Sequence, residues 1–188
     1  MKLISLLICV FAASYITTLE TIKIDVDKST INWDASKVTG KHSGTIKLLE
    51  GNLEFDEELL SGGTFTMDMT SINVTDLEGG AKEKLEGHLL SPDFFSAEAN
   101  PKAIFNITKV APRGTAGEYK VTGDMTIKNI TKEIRFNAKV AEGLAAATIQ
   151  LDRTDFDVRY GSGSFFSNLG DKTIHDEFTL EVALMYSK

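Results

Sequence analysis

The side chains able to do chemistry are few, and their spacing argues for binding over catalysis. His42, His88 and His175 are the only histidines, and no HExxH motif or paired ligand spacing joins them. Each can meet a polar head group if the fold brings it to an opening; a surface or hydrogen-bonded histidine is the plainer reading. Arg153, beside Leu151 and Phe156, is a permanently charged fork that suits a phosphate or carboxylate. The competing reading is a salt bridge with Asp155 or Asp157. Asp152, Asp155 and Asp157 lack the spacing and downstream glutamate of a calcium loop and read as a solvated strand end. Gly161-Ser162-Gly163-Ser164 has no phosphate-loop lysine and no helical pattern behind it. A G-x-S-x-G elbow for a serine nucleophile is absent. From these residues no catalytic group, no metal site and no cofactor is expected.

Composition narrows the partners. With 42% apolar and 25% charged residues, the 188-residue chain can build one ordinary globular core. Its net charge of −7 disfavours nucleic acid or an anionic membrane surface as the main partner. Lys2, the apolar stretch Leu3 to Ala13 and the small residues Ala12, Ala13 and Ser14 read as a signal peptide at 1–14, cleaved after Ser14. That stretch is too short for a permanent membrane anchor, so the expected location is periplasmic or secreted. Cys9, the only cysteine, would leave with the leader, and bulky Ile8 before it argues against a lipoprotein site. Three N-x-T triplets, at Asn73, Asn106 and Asn129, fit chance in Thr-rich strands.

Behind the leader the dominant pattern is alternation. Tyr119, Val121, Gly123, Met125 and Ile127 alternate with Lys120, Thr122, Asp124, Thr126 and Lys128, giving a strand with one apolar face. The same period runs through 64–70, 133–140, 147–152 and 177–184, with further strands expected over 30–35, 44–55 and 103–110. Turn signals stand at Ser61-Gly62-Gly63, Pro112-Arg113-Gly114, Lys128-Asn129 and Glu142-Gly143. Parity changes near Leu48-Leu49-Glu50-Gly51, which predicts a bulge or bend at Gly51. Ala81, Leu85 and Leu89 recur every fourth residue and predict a short helix, with capping-box spacing at Thr75 and Glu78. Ser91-Pro92-Asp93-Phe94-Phe95 predicts a second helical turn capped by Ser91. About eight strands with one helical insertion give an all-β fold, an antiparallel sandwich or closed barrel.

These segments resemble the YceI-like family over about Ser29 to Leu184. The residues that carry the likeness are Ser29-Thr30-Ile31-Asn32-Trp33, Gly40 to Ile46, His88 to Phe95 with a Pro101 to Phe105 strand entry, Gly123 to Lys132, and Arg153, Asp155 and Phe156 with the Gly161 to Phe166 loop and Leu169-Gly170-Asp171-Lys172. Asp157 departs from the pattern, standing where many members carry glycine. The resemblance implies an eight-stranded antiparallel lipocalin-like barrel with one short helical insertion, a domain spanning 22–188. It also implies export to the periplasm and a polyisoprenoid or fatty-chain lipid as partner.

An eight-stranded barrel either fills with its own side chains or holds one small ligand. The residues expected to line a lipid site are Phe65, Met67, Met69, Phe94, Phe95, Phe105, Ile107, Tyr119, Val121, Met125, Phe136 and Ile149, with His42, His88 and Arg153 as head-group candidates. Met and Phe make an adaptable lining for a flexible chain. The reading is a non-enzymatic carrier, scavenger or sensor. Its rivals are an enzyme acting on a bound lipid and a protein- or glycan-binding module with a filled barrel. A homodimer stays open.

Overall fold

The structure is a computed structural model that describes residues 19–141 and 143–187; the leader expected at 1–14, and Cys9 within it, lie outside those residues. Eight strands follow in chain order: β1 (Leu19–Lys37), β2 (Gly40–Asp56), β3 (Leu59–Val74), β4 (Lys102–Arg113), β5 (Thr115–Ile127), β6 (Ile130–Ala141), β7 (Leu144–Asp152) and β8 (Ile174–Tyr186). Each pairs antiparallel with its neighbour, and β8 returns to β1, so the sheet closes on itself as an up-and-down barrel. Closure leaves no unpaired edge.

Alternation places the apolar residues inside. On β5, Tyr119, Val121, Met125 and Ile127 are all buried. Lys128 and Asn129, with φ of 52° and 61°, form the two-residue turn that leads into β6; two left-handed central residues give the hairpin the twist its strands require. The parity change in β2 comes from a bulge. Leu48 faces Met67 and Glu50 faces Thr66, so the extra residue is Leu49, two positions before the expected Gly51. Gly51 has a different task, since a Cβ there would lie 2.8 Å from the Phe65 ring.

Four other local expectations are corrected. Ser61-Gly62-Gly63 is no turn but part of β3, opposite Leu53 and Glu54; the reversal falls at Glu57, with φ 57°. Pro112 and Arg113 extend β4, and only Gly114 turns the chain. The capping box does not form. Glu78 caps α1 (Gly79–Leu90) without a side-chain hydrogen bond, because the Thr75 hydroxyl donates to the Ser43 carbonyl at 3.3 Å instead. Ser91 ends α1, donating its N–H and hydroxyl to the His88 carbonyl, and residues 92–95 form a turn, not a second helix.

Asp157 needs no glycine. It holds φ 58° and ψ 33° at the end of a 3-10 turn over Arg153–Phe156, a left-handed conformation that Asp tolerates better than most residues. The two long connections, 75–101 and 153–173, both leave the same end of the barrel. The opposite end has only short reversals.

Candidate functional site

The strand faces do not meet across the centre. A cavity of about 740 Å³ runs down the barrel, within the ~300–1,000 Å³ usual for small-molecule sites. Two glycines help to keep it open. A Cβ on Gly123 would come within 2.5 Å of the Phe105 ring, and Gly51 receives Phe65 in the same way. Both rings lie against the wall where a side chain is missing, so they do not project across the hollow. The facing wall is built small, from Ala138 on β6 and Ala145 and Ala147 on β7.

Along β8 the lining runs from Ile174 through Phe178, Leu180 and Val182 to Leu184. Ten residue steps correspond to about 34 Å of strand, or about 24 Å of depth at the usual barrel tilt. The far end is shut. Phe55 and Tyr186 meet there with ring centroids 6.0 Å apart, and burial pushes the Tyr186 phenol above its ordinary value.

Polar lining is confined to the other end, the mouth. Ser36 and Lys37 end β1, His42 lies near the start of β2, His88 projects from α1, and Arg153, Tyr160, Asp171, Lys172 and His175 come from the last long connection and the start of β8. The His42 Nδ1 and an Asp76 carboxylate oxygen are 2.8 Å apart, and the other Asp76 oxygen accepts the Ser43 N–H at 3.1 Å. Burial alone would raise the Asp76 carboxyl; the Ser43 and His42 hydrogen bonds outweigh it and hold the group below its ordinary value. His88 stands edge-on to Tyr160 at 4.4 Å and to Phe94 at 5.2 Å.

Eleven of the twelve expected lining residues border the cavity: Phe65, Met67, Met69, Phe94, Phe95, Phe105, Ile107, Val121, Met125, Phe136 and Ile149. Tyr119 does not. It lies one inward step nearer the shut end than Val121, buried, with its hydroxyl accepting the Leu60 N–H at 3.4 Å.

Arg153 borders the cavity, but its guanidinium is largely committed. Nε donates to the His175 carbonyl, Nη1 to Val158, and Nη2 to Ile174 and Asp176, at 2.7 to 3.1 Å. Four of the five N–H donors are thereby satisfied. The acidic partner is Asp176; Asp155 pairs with Lys132 and Asp157 with Arg159, because the 3-10 turn carries both away from the buried fork. Burial lowers the guanidinium pKa, and Asp176 opposes that shift. Arg153 therefore pins the last connection to β8.

Sequence reasoning missed several lining residues. Trp33, Phe178, Leu180 and Val182 stand on strand parities readable in the sequence. Lys37, Lys172, Tyr160 and Phe166 lie at a strand end or in irregular chain, where no period marks them. Among the described residues no three His, Cys, Asp or Glu side chains gather as metal ligands, and no helix is long and apolar enough to cross a membrane.

A closed eight-stranded barrel with a deep apolar hollow and a polar mouth has room for one small ligand. The profile of the YceI-like domain family matches residues 22–186. The chain belongs to that family. It is 33% identical over 97 residues to a UPF0312 protein of Photorhabdus laumondii, covering 52% of this chain and 47% of that one. To Protein YceI of Escherichia coli O157:H7 it is 32% identical over 97 residues, covering 52% and 48%. The aligned region thus spans about half the length of these curated relatives. Among solved structures, Burkholderia cenocepacia BcnA superposes with a TM-score of 0.72 at 22% identity, over 87% of this chain and 99% of that one. A polyisoprenoid binding domain from Saccharophagus degradans superposes with a TM-score of 0.63 at 14% identity, over 90% and 99%. At these identities the superpositions establish the fold.

Proposed function

We propose that this protein is an exported, non-enzymatic binding protein that sequesters or carries a polyisoprenoid or other long-chain amphiphilic lipid in the barrel. The observation that carries the reading is the polarity gradient of the cavity, apolar from Leu184 up to Ala35 and polar at the mouth. Such a hollow fits a molecule with a long tail and one polar end. Burying ten methylenes of that tail would yield roughly 8 kcal/mol gross, and association and ordering costs leave a net affinity on the order of micromolar. The neighbour described as a polyisoprenoid binding domain supports the ligand class.

Catalysis has little support in the lining. Arg153 is occupied with backbone carbonyls and Asp176; the Ser162 hydroxyl is buried and donates to Asp176 at 3.0 Å. The rival reading of a filled barrel with a working outer surface is disfavoured by the hollow itself. In the proposed division of the chain, 1–14 is the leader and 22–188 the lipid-binding domain. Organic extraction of the purified protein followed by mass spectrometry tests the proposal. The expected result is an apolar amphiphile in stoichiometric amount; recovery of none from repeated preparations, with no uptake of added polyprenol, contradicts it.

A further inference from the structure

We infer that the mouth of the barrel is a docking face for an anionic lipid bilayer, seated through one side of its rim. The inference rests on the lipid-carrier reading for its purpose, though not for its geometry. Val38, Tyr160, Phe165 and Phe166 are 56%, 48%, 47% and 50% exposed. They belong to two segments at the mouth, the β1–β2 turn and the 159–173 loop, joined by the Val38 N–H to the Thr173 carbonyl at 3.1 Å. Of the other large exposed apolar residues, Leu19 and Leu59 flank Asp56 at the shut end, and Leu49 and Leu144 lie on other strands. A clustered apolar patch marks an interaction site, and the mouth patch alone combines with the opening of the cavity.

Tyr160 and Phe166 are at once exposed rim and cavity wall. An apolar chain leaving the hollow would pass along these rings without crossing water.

The rings are also held outward. The Phe165 and Phe166 N–H groups both donate to the Ser162 carbonyl, at 3.3 and 2.9 Å. Ser162 is fully buried and bonds Asp176, which also accepts the Ser164 hydroxyl and the Arg153 fork. On the outer side, the Arg159 guanidinium lies 4.6 Å from the Phe165 ring centre. A buried polar network thus fixes a loop whose tip is apolar and solvent-facing.

Charge selects the occupant. The segments 37–42 and 159–173 carry Lys37, Lys41, Arg159 and Lys172 against Asp171 alone, in a chain of net charge −7. Lys37, Lys41 and Lys172 have no ion pair among the described residues, whereas Arg159 pairs with Asp157 at 2.9 Å. Across the mouth, α1 and the turn after it carry Lys82 and Lys84 against Glu83, Glu86 and Asp93, and Lys82 pairs with Glu86 at 3.6 Å, so that side has no net positive charge. Apolar tips among cations on one side of an otherwise acidic molecule match an anionic bilayer surface. The same asymmetry confines contact to that side of the rim.

Vesicle cosedimentation tests this with the full chain, every variant retaining residues 1–18. Wild type is expected to pellet with phosphatidylcholine–phosphatidylglycerol vesicles, more weakly with phosphatidylcholine alone, and less as salt rises. Val38→Ser with Phe165→Ser lowers vesicle affinity roughly tenfold or more, and Lys41→Glu lowers it on the anionic vesicles. Leu59→Ser, which removes similar apolar exposure at the shut end, binds like wild type. None of Val38, Lys41 and Phe165 lines the cavity, so polyprenol uptake in solution is unchanged in their variants. The inference is overturned if wild type pellets with neither vesicle, if Leu59→Ser loses as much as the mouth variants, or if the mouth residues support only a dimer or a protein contact. Polyprenol uptake without vesicle binding overturns the docking face and leaves the carrier; vesicle binding without uptake does the reverse.

Discussion

At the shut end of the barrel Phe55 and Tyr186 pack ring to ring at 6.0 Å and Tyr119 takes the Leu60 N–H at 3.4 Å; at the other end His42, His88, Lys37 and Lys172 stand round an opening. The same eight strands form both ends. At the floor, tight reversals at Glu57 and Gly114 bring neighbouring strands together, and three large aromatics occupy the narrowed space. At the mouth, two long connections hold their side chains on the rim, pinned by Arg153 and by the Asp76 contacts. The difference teaches that connection length, more than core composition, decides which end of this barrel stays open.

Four substitutions bear on that contrast, and the first should act most strongly. Ala147→Phe puts a large ring into the hollow from the small wall and is expected to abolish polyprenol uptake while the thermal midpoint holds or rises. Unchanged uptake would mean that lipid does not occupy this space. Arg153→Met leaves Asp176 without its cation and three carbonyls without their Arg153 donor, and removing one member of a buried pair costs about 3–5 kcal/mol. Urea unfolding measures it; a loss under about 1 kcal/mol with sharply weaker lipid binding would make Arg153 a head-group ligand instead of a clamp.

Tyr119→Phe removes one long hydrogen bond from the floor, a loss of about 1 kcal/mol. Uptake stays as in wild type, because Tyr119 does not border the cavity; weakened uptake would place its ring against the lipid. Asp76→Asn is the smallest perturbation, under about 1 kcal/mol, since the His42–Asp76 pair is partly exposed. The folded Asp76 carboxyl lies below its ordinary value, so its stabilisation is present above the ordinary carboxylate range. It fades as pH falls through that range toward the folded value. The wild-type-minus-variant difference in stability should vanish in that acidic window, and a difference growing with acidity would reverse the sign.

Legibility in the sequence follows the same divide. Strand faces could be read because a half-buried strand imposes period two, which located all eight strands and part of the hollow's lining. Tyr119 shows the limit, because parity says which way a residue points but not whether its side chain reaches the hollow. At the mouth the clamp joins Arg153 to Asp176 across 23 positions, and nothing local singles out that acid over Asp155 or Asp157. Tyr160 and Phe166 follow no period at all. The glycines were visible as composition; that Gly51 and Gly123 make room for Phe65 and Phe105 depends on cross-strand register, which only the paired sheet supplies.

Trp33, the only tryptophan, lies on the cavity wall with its ring over Gly44, so its emission reports directly on what enters the hollow. Titration of the lipid-stripped protein with polyprenol should give a saturable change in that emission at one molecule per barrel, absent in Ala147→Phe. An emission that stays constant as polyprenol is added beyond equivalence would contradict the claim that this barrel holds a lipid.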